Sequence, residues 1–170
     1  TYIDLYQTFS EGVTKATIAA AKEACAEVIR DQAQNNVLPA RPLVLGGDDL
    51  SLIVRADLAL EFTRVFLAAF KRHSRAEIAK LKALFEKYEM PEASAKLPDC
   101  LTACAGIVYV KASQPCYSAY AVAEELCKRA KDAAKPLQTA GQIVPSALSF
   151  YKVSDSLLNR LDKMLEQTQL

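Results

Sequence analysis

The sequence predicts an α+β fold of ferredoxin-like type, a mixed antiparallel sheet with helices packed mainly on one face. Three observations predict it. Two long segments have helical apolar periodicity, a strand–glycine–acid–strand signal lies between them, and strand and helix patterns then alternate toward the C-terminus. The resulting order is helix, strand, strand, helix, strand, helix, strand, helix. It contains the strand–helix–strand–strand–helix–strand series of a ferredoxin-like half-sandwich once one strand precedes Leu5. Residues 1–170 are expected to form a single domain lacking that first strand, and the opening at Thr1 rather than a methionine fits a missing preceding segment.

Each element has its own signal. Leu5 to Gln34 is helical, with an alanine-rich stretch from Ala16 to Ala26, and Asn35-Asn36 and Pro39 end it. Residues 42–46 and 50–55 are short apolar strands joined by glycines and aspartates, a hairpin signal. Asp57 is placed to cap a helix from Leu58 to Tyr88 that carries Phe62, Val65, Phe66, Ala69 and Phe70 on one face. Beyond Lys71 this helix is more charged, so its far end is expected to face solvent or a partner. Pro91 to Pro98 reads as a loop. Leu101 to Val110 reads as a central strand in which Gly106 permits close backbone approach. Ser113-Gln114-Pro115 opens a helix over Tyr117 to Lys135. Residues 146–153 read as a strand, and Ser154 or Asp155 caps a last helix over 156–167.

Composition narrows the class. An apolar fraction of 51% and a charged fraction of 24% describe a globular domain able to bury a core. A net charge of +1 argues against binding driven by bulk electrostatics to nucleic acid or membrane. No apolar run approaches the roughly 20 residues of a membrane span, so no membrane role is expected and a cytoplasmic location is. The five cysteines are expected to be reduced, buried thiols. Cys100 and Cys104 have no second pair, and His73, the only histidine, lies in a surface-like run.

The densest chemistry lies in Leu43-Val44-Leu45-Gly46-Gly47-Asp48-Asp49-Leu50. Glycines allow positive backbone angles and let a ligand approach the main chain. Successive strand residues point to opposite faces, so Asp48 and Asp49 converge only at a turn. Two converging carboxylates repel unless one takes a proton or a cation sits between them. Oxygen ligands from a short acidic turn suit Mg²⁺ or Mn²⁺, completed by substrate phosphates. Without its flanks, the same motif is equally a polar hairpin turn.

With its flanks, the turn resembles the palm domain of the polymerase and nucleotide-cyclase superfamily, most closely the second palm of the large catalytic subunit of type III CRISPR effector complexes. Ala105-Gly106-Ile107-Val108 is similar to a downstream palm strand. Ala123-Glu124-Glu125-Leu126-Cys127-Lys128-Arg129-Ala130-Lys131 is similar to the helix that follows it, and Ser149-Phe150-Tyr151-Lys152-Val153-Ser154 to the last strand. The resemblance covers residues 5 to 160. It implies nucleotidyl transfer that makes cyclic oligoadenylates from ATP in antiviral defence, alongside other effector subunits with guide RNA and with a second palm as a partner. By resemblance, Asp48 and Asp49 are catalytic and hold Mg²⁺ or Mn²⁺. Gly46 and Gly47 let the nucleotide lie against the backbone, Ser51 contacts phosphate or ribose, and Lys131, or alternatively Lys128, neutralises triphosphate. Family palms carry a further metal-binding aspartate at the end of the first strand, and Asp4 is the residue placed nearest to that role.

Two other functions fit the same residues. One is a catalytically inactive palm that binds nucleotide or acts as a scaffold. The other is a diguanylate cyclase, although those enzymes usually have Glu and Phe where this chain has Asp49 and Leu50. Lys128 and Lys131 also read as a solvated helix face, and Tyr117 and Tyr120 as core packing.

Overall fold

The computed structural model describes residues 2–35, 37–139 and 142–153. The fold is α+β. The chain divides into two compact units, Thr1–Ala103 and Cys104–Leu170.

In the first unit, α1 (Tyr2–Ala24) and α2 (Ala56–Lys87) pack together. Gly12, Ala16, Ala20 and Ala24 recur every four residues on α1 and are all buried. That spacing places small side chains in one row. Phe62, Phe66 and Phe70 recur at the same interval on α2 and stack at centroid distances of 6.5 and 6.3 Å. Ala16, Ala20, Ala69 and Phe70 form one core cluster against Phe66. At Gly12 the helices are so close that an added Cβ would lie 3.1 Å from Glu77 Cβ. Glu23 on α1 adds a polar tie, accepting from Arg72 and lying 2.8 Å from His73 Nε2 on α2. His73 is therefore half-buried against α1 and does not belong to a surface run.

The charged end of α2 does not project freely. Ile78 and Leu81 are buried with Leu5, and Leu84, Phe85, Tyr88, Met90, Leu97 and Leu101 pack around them. Periodic apolar positions persist among the lysines and set one face inward. Past Tyr88 the chain turns through Glu89 at φ +57°, with Met90 N donating to Phe85 O and Glu89 N to Glu86 O. These bonds satisfy the last carbonyls in the manner of a Schellman cap. The expected loop over Pro91 to Pro98 instead holds a short helix, α3 (Pro91–Lys96). Pro91 sits in the first turn, where its missing N–H costs nothing, and Leu97 is extended as the residue before a proline should be. At the other end of α2 the cap is Arg55. Asp57 lies inside the first turn, where Arg55 Nε and NH2 grip its carboxylate at 2.7 and 2.9 Å.

α1 does not run as one α-helix to Gln34. It passes into a π turn, Cys25–Ile29, and a 3₁₀ turn, Arg30–Gln32. Ile29 from the π turn joins Ala24, Phe62 and Val65 in a second core cluster. On this cluster rests the hairpin of β1 (Ala40–Gly46) and β2 (Asp49–Val54), through Ala40, Leu50, Leu52 and Val54.

In the second unit, β3 (Cys104–Tyr109) and β4 (Ala147–Lys152) pair in parallel, and α4 (Cys116–Ala134) crosses between them. A Cβ at Gly106 would lie 2.0 Å from Ala123 O and 2.5 Å from Cys127 N. Glycine is thus what lets α4 rest directly on the strand, as expected of that position. Tyr117 and Tyr120 are exposed, at 84% and 37%, and do not pack in the core. Among the described residues the strands form one antiparallel pair and one parallel pair rather than the single mixed sheet expected. The expected last helix, 156–167, and its cap lie outside the described residues. No described helix is long and apolar enough to cross a membrane.

Two outcomes test this packing. Ala20→Leu is expected to destabilise by about 1–3 kcal/mol through overpacking, and Phe70→Ala by about 3–5 kcal/mol through the cavity it leaves; both are read from urea midpoints. Hydrogen bonds from Arg72 and then His73 hold the Glu23 carboxyl below its ordinary value of 4.5. A depressed folded-state value contributes stability above the unfolded value, and this is lost as pH falls through the folded one. Glu23→Gln is therefore expected to flatten the acid limb of stability against pH below about 4.5, measured by urea melts across a pH series.

Candidate functional site

The candidate site is the solvent side of the β1–β2 hairpin and its turn. Cross-strand partners are Ala40 with Val54, Arg41 with Ile53, Pro42 with Leu52, Val44 with Ser51, Leu45 with Leu50, and Gly46 with Asp49. The register shifts between Pro42 and Val44, which leaves Leu43 as the extra residue of a β-bulge. Partners directly opposite each other share a face, and every second residue of a strand does too. Leu50, Leu52 and Val54 face the Phe62–Val65 cluster. Asp49, Ser51 and Ile53 therefore face outward, with Gly46, Val44 and Arg41 opposite them. Without the bulge, Arg41 would share its face with Leu43 and Leu45, and not with Val44 and Gly46.

The turn consists of Gly47 and Asp48. Gly47 has φ +59°, and the only non-glycine residues with positive φ among those described are Asn35 and Glu89. A two-residue hairpin loop with positive φ at its first central position only is of the II′ kind, which calls for glycine there. Gly46 is different. Its φ is not in the positive range, and a Cβ there would meet nothing within 4 Å. Neither backbone nor packing requires glycine at 46, although glycine weakens a strand.

Asp48 and Asp49 are exposed, and Ser51 is half-buried. Elsewhere Asp57, Asp99 and Asp132 each lie against a cation, Arg55, Lys82 and Lys135. Lys82 and Lys135 hold the Asp99 and Asp132 carboxyls below the ordinary range, as Arg55 does for Asp57. Neither Asp48 nor Asp49 has an ion-pair or side-chain hydrogen-bond partner among the described residues. Two adjacent uncompensated carboxylates with an outward hydroxyl beside them suit a hard divalent cation whose other ligands are water and phosphate oxygens. Among the described residues no group of three or more His, Cys, Asp or Glu side chains converges as a metal site.

The structure brings Gly46, Gly47, Asp48, Asp49 and Ser51 into this one hairpin. Lys131 and Lys128 belong to the second unit, on the exposed side of α4. Both add to the lowering of the Asp132 carboxyl, for which Lys135 is the main cause. Asp4 does not end a strand. It lies in the first turn of α1 and accepts from Tyr88 Oη at 2.6 Å. This bond is the main cause that lowers its carboxyl and raises the Tyr88 phenol. The cysteines are all free, yet only Cys100 is buried, while Cys25 and Cys116 are exposed. Sequence reasoning did not place Arg41 on this face. Its place on the outer face depends on a bulge that no alternation pattern announces, and the adjacent Pro42 was the one available signal of irregularity.

No protein-family model matches the chain, and no curated protein matches it either.

The two glycines separate folding from ligand approach. Gly47→Ala is expected to cost about 1 kcal/mol of stability, because alanine must adopt a left-handed conformation. Gly46→Ala is expected to leave stability within about 0.5 kcal/mol. Denaturant midpoints of both variants check this.

Proposed function

We propose that the chain is a palm-type nucleotidyltransferase or nucleotide cyclase, ferredoxin-like in fold, that uses ATP at the Gly46–Asp49 turn to make cyclic oligoadenylate-type signals. The observation that carries the reading is the hairpin register, which sets Gly46, Asp49 and Ser51 in one outward row beside Asp48. An acidic turn next to a strand glycine that nothing in the fold requires is what phosphate chemistry at the backbone asks for.

In this reaction the 3′-hydroxyl oxygen of one nucleotide attacks the α-phosphorus of another. A phosphodiester bond forms, the bond between α-phosphorus and its bridging oxygen breaks, pyrophosphate leaves with that electron pair, and the hydroxyl proton passes to solvent. When bound, Mg²⁺ or Mn²⁺ would supply charge neutralisation to the attacking and leaving oxygens. Asp48 and Asp49 are the residues that would hold it, Ser51 donates to phosphate or ribose, and Gly46 keeps the strand open to the nucleotide. The setting we propose is cytoplasmic CRISPR-type antiviral defence, with effector subunits bearing guide RNA and a second palm as partners.

A second reading, a nucleotide-binding or scaffold module without turnover, is favoured by a specific surface. Tyr2, Ile3 and Tyr6 lie in the first turns of α1 at 80%, 71% and 73% exposure. Large apolar side chains grouped in this way suit a protein partner.

Calorimetry of ATP binding in Mn²⁺ tests the turn as a nucleotide site, and product analysis then separates the two readings. The double substitution Asp48→Ala with Asp49→Ala is expected to weaken ATP at least 10-fold, since charged contacts of this kind contribute roughly 1.5–3 kcal/mol. Unchanged ATP affinity in that variant overturns the first reading and the nucleotide-binding form of the second. Intact binding with no product by mass analysis, from the full protein, selects the second reading.

A further inference from the structure

We infer that Arg41 is a phosphate-binding residue, and that the outer face of the hairpin is a subsite for one nucleoside triphosphate laid along it. The nucleotide's 3′-hydroxyl end lies at the Asp48–Asp49 turn and its 5′-phosphates at Arg41. This rests on the nucleotide reading of the turn and adds the orientation of the ligand and a residue that the turn does not include.

Three observations converge on Arg41. The first is placement. Arg41 lies opposite Ile53, four positions along β2 from Asp49, so about 13 Å separates cation and acid on the same face. That is close to the reach of one nucleotide from its 3′-oxygen to its outer phosphates. The second is charge. Arg55, Arg64 and Arg72 each sit against a carboxylate, whereas Arg41, like Arg30 and Arg75, has no ion-pair or side-chain hydrogen-bond partner among the described residues, and of these three it alone lies in the hairpin. A guanidinium presents a planar set of donors matched to phosphate oxygens. The third is the surface between the two ends. Val44 and Ile53 are 42% and 48% exposed on that face, with Ser51 beside them, an apolar shelf with one hydroxyl for a ribose and base to lie on.

The bulge makes this arrangement. It restores Val44 and Gly46 to the face on which Arg41 already lies, so acid, shelf and cation form one row. Bulges recur beside functional sites because they re-aim side chains in this way.

The test uses the full chain in Mg²⁺ with two probes, α,β-methylene-ATP, in which the bond that nucleotidyl transfer breaks is replaced by a methylene link, and adenosine. Arg41→Ala is expected to weaken the triphosphate probe roughly 10-fold, while adenosine shifts less than about twofold. Arg41→Lys should recover part of the loss. Arg30→Ala, which removes an exposed arginine outside this face, should not weaken the triphosphate probe, which separates a local contact from a change in net charge. Equal losses in Arg41→Ala and Arg30→Ala, or wild-type affinity in Arg41→Ala, overturn the inference. If the double substitution at Asp48 and Asp49 still abolishes binding in that case, the nucleotide reading stands and only the role of Arg41 falls. If the wild-type chain binds neither probe, both fall.

Discussion

The first unit depends on the close approach of two helices. Gly12, Ala16, Ala20 and Ala24 give α1 a flat face, and the phenylalanine ladder of α2 fills the space that larger side chains would occupy. Interiors are packed to crystal-like density, so such a seam tolerates neither added nor missing volume. The consequence reaches the candidate site. A two-stranded hairpin is marginal by itself in water, and this one rests on Ala24, Ile29, Phe62 and Val65, residues that the seam holds in place. Arg55 strengthens the base of the hairpin, with its N–H on Pro39 O and its guanidinium bonded to Gln32 and Asp57.

Given that platform, the bulge decides what the hairpin displays. One extra residue at Leu43 keeps Ala40 and Pro42 before it, and Leu45 after it, on the face of Val54, Leu52 and Leu50, although in β1 only Ala40 packs against the cluster and Pro42 and Leu45 stay exposed. The same residue keeps Arg41, Val44 and Gly46 outward. The hairpin thus has a packed side that fixes its position and a solvent side with charge at both ends, and the two are set by a single irregularity. A positioned side chain needs a rigid element beneath it, and here the rigidity comes from helix packing rather than from a wide sheet.

Much of the fold was legible because it follows from local rules. The two long helices carry periodicity that matches their burial, the hairpin and the closing strand carry local strand and turn signals, and Gly106 announced the contact of strand and helix. What escaped the sequence escaped for identifiable reasons. Pro91 and Pro98 suggested a loop because proline breaks a helix interior, yet at a first turn it is compatible with α3. Lysines beyond Lys71 masked the buried Ile78 and Leu81, since charge density is read before periodicity. Asp57 looked like a cap, but Arg55 holds its carboxylate, and the backbone turns helical one residue before it. At the candidate site, the Gly46–Asp49 turn and its hairpin setting could be read from the sequence, while the face that Arg41 occupies could not, because it is a property of register.

Charge alone says little about the turn. Two exposed carboxylates even about 4 Å apart in water would repel by only about 1 kcal/mol, so the fold needs no cation to tolerate Asp48 and Asp49. Gly47 is explained by its own backbone angle. Gly46 is the residue that the fold does not explain. It lies within a strand, where glycine costs conformational entropy, it has ordinary φ, and there is open space where a side chain would be. A side chain at that position would intrude only on something outside the protein, between Asp49 and Val44 on the outward row. The case for a ligand therefore rests more on a missing methyl group at 46 than on the charges at 48 and 49, and any ligand it admits must lie against the β1 backbone on the face that Arg41 shares.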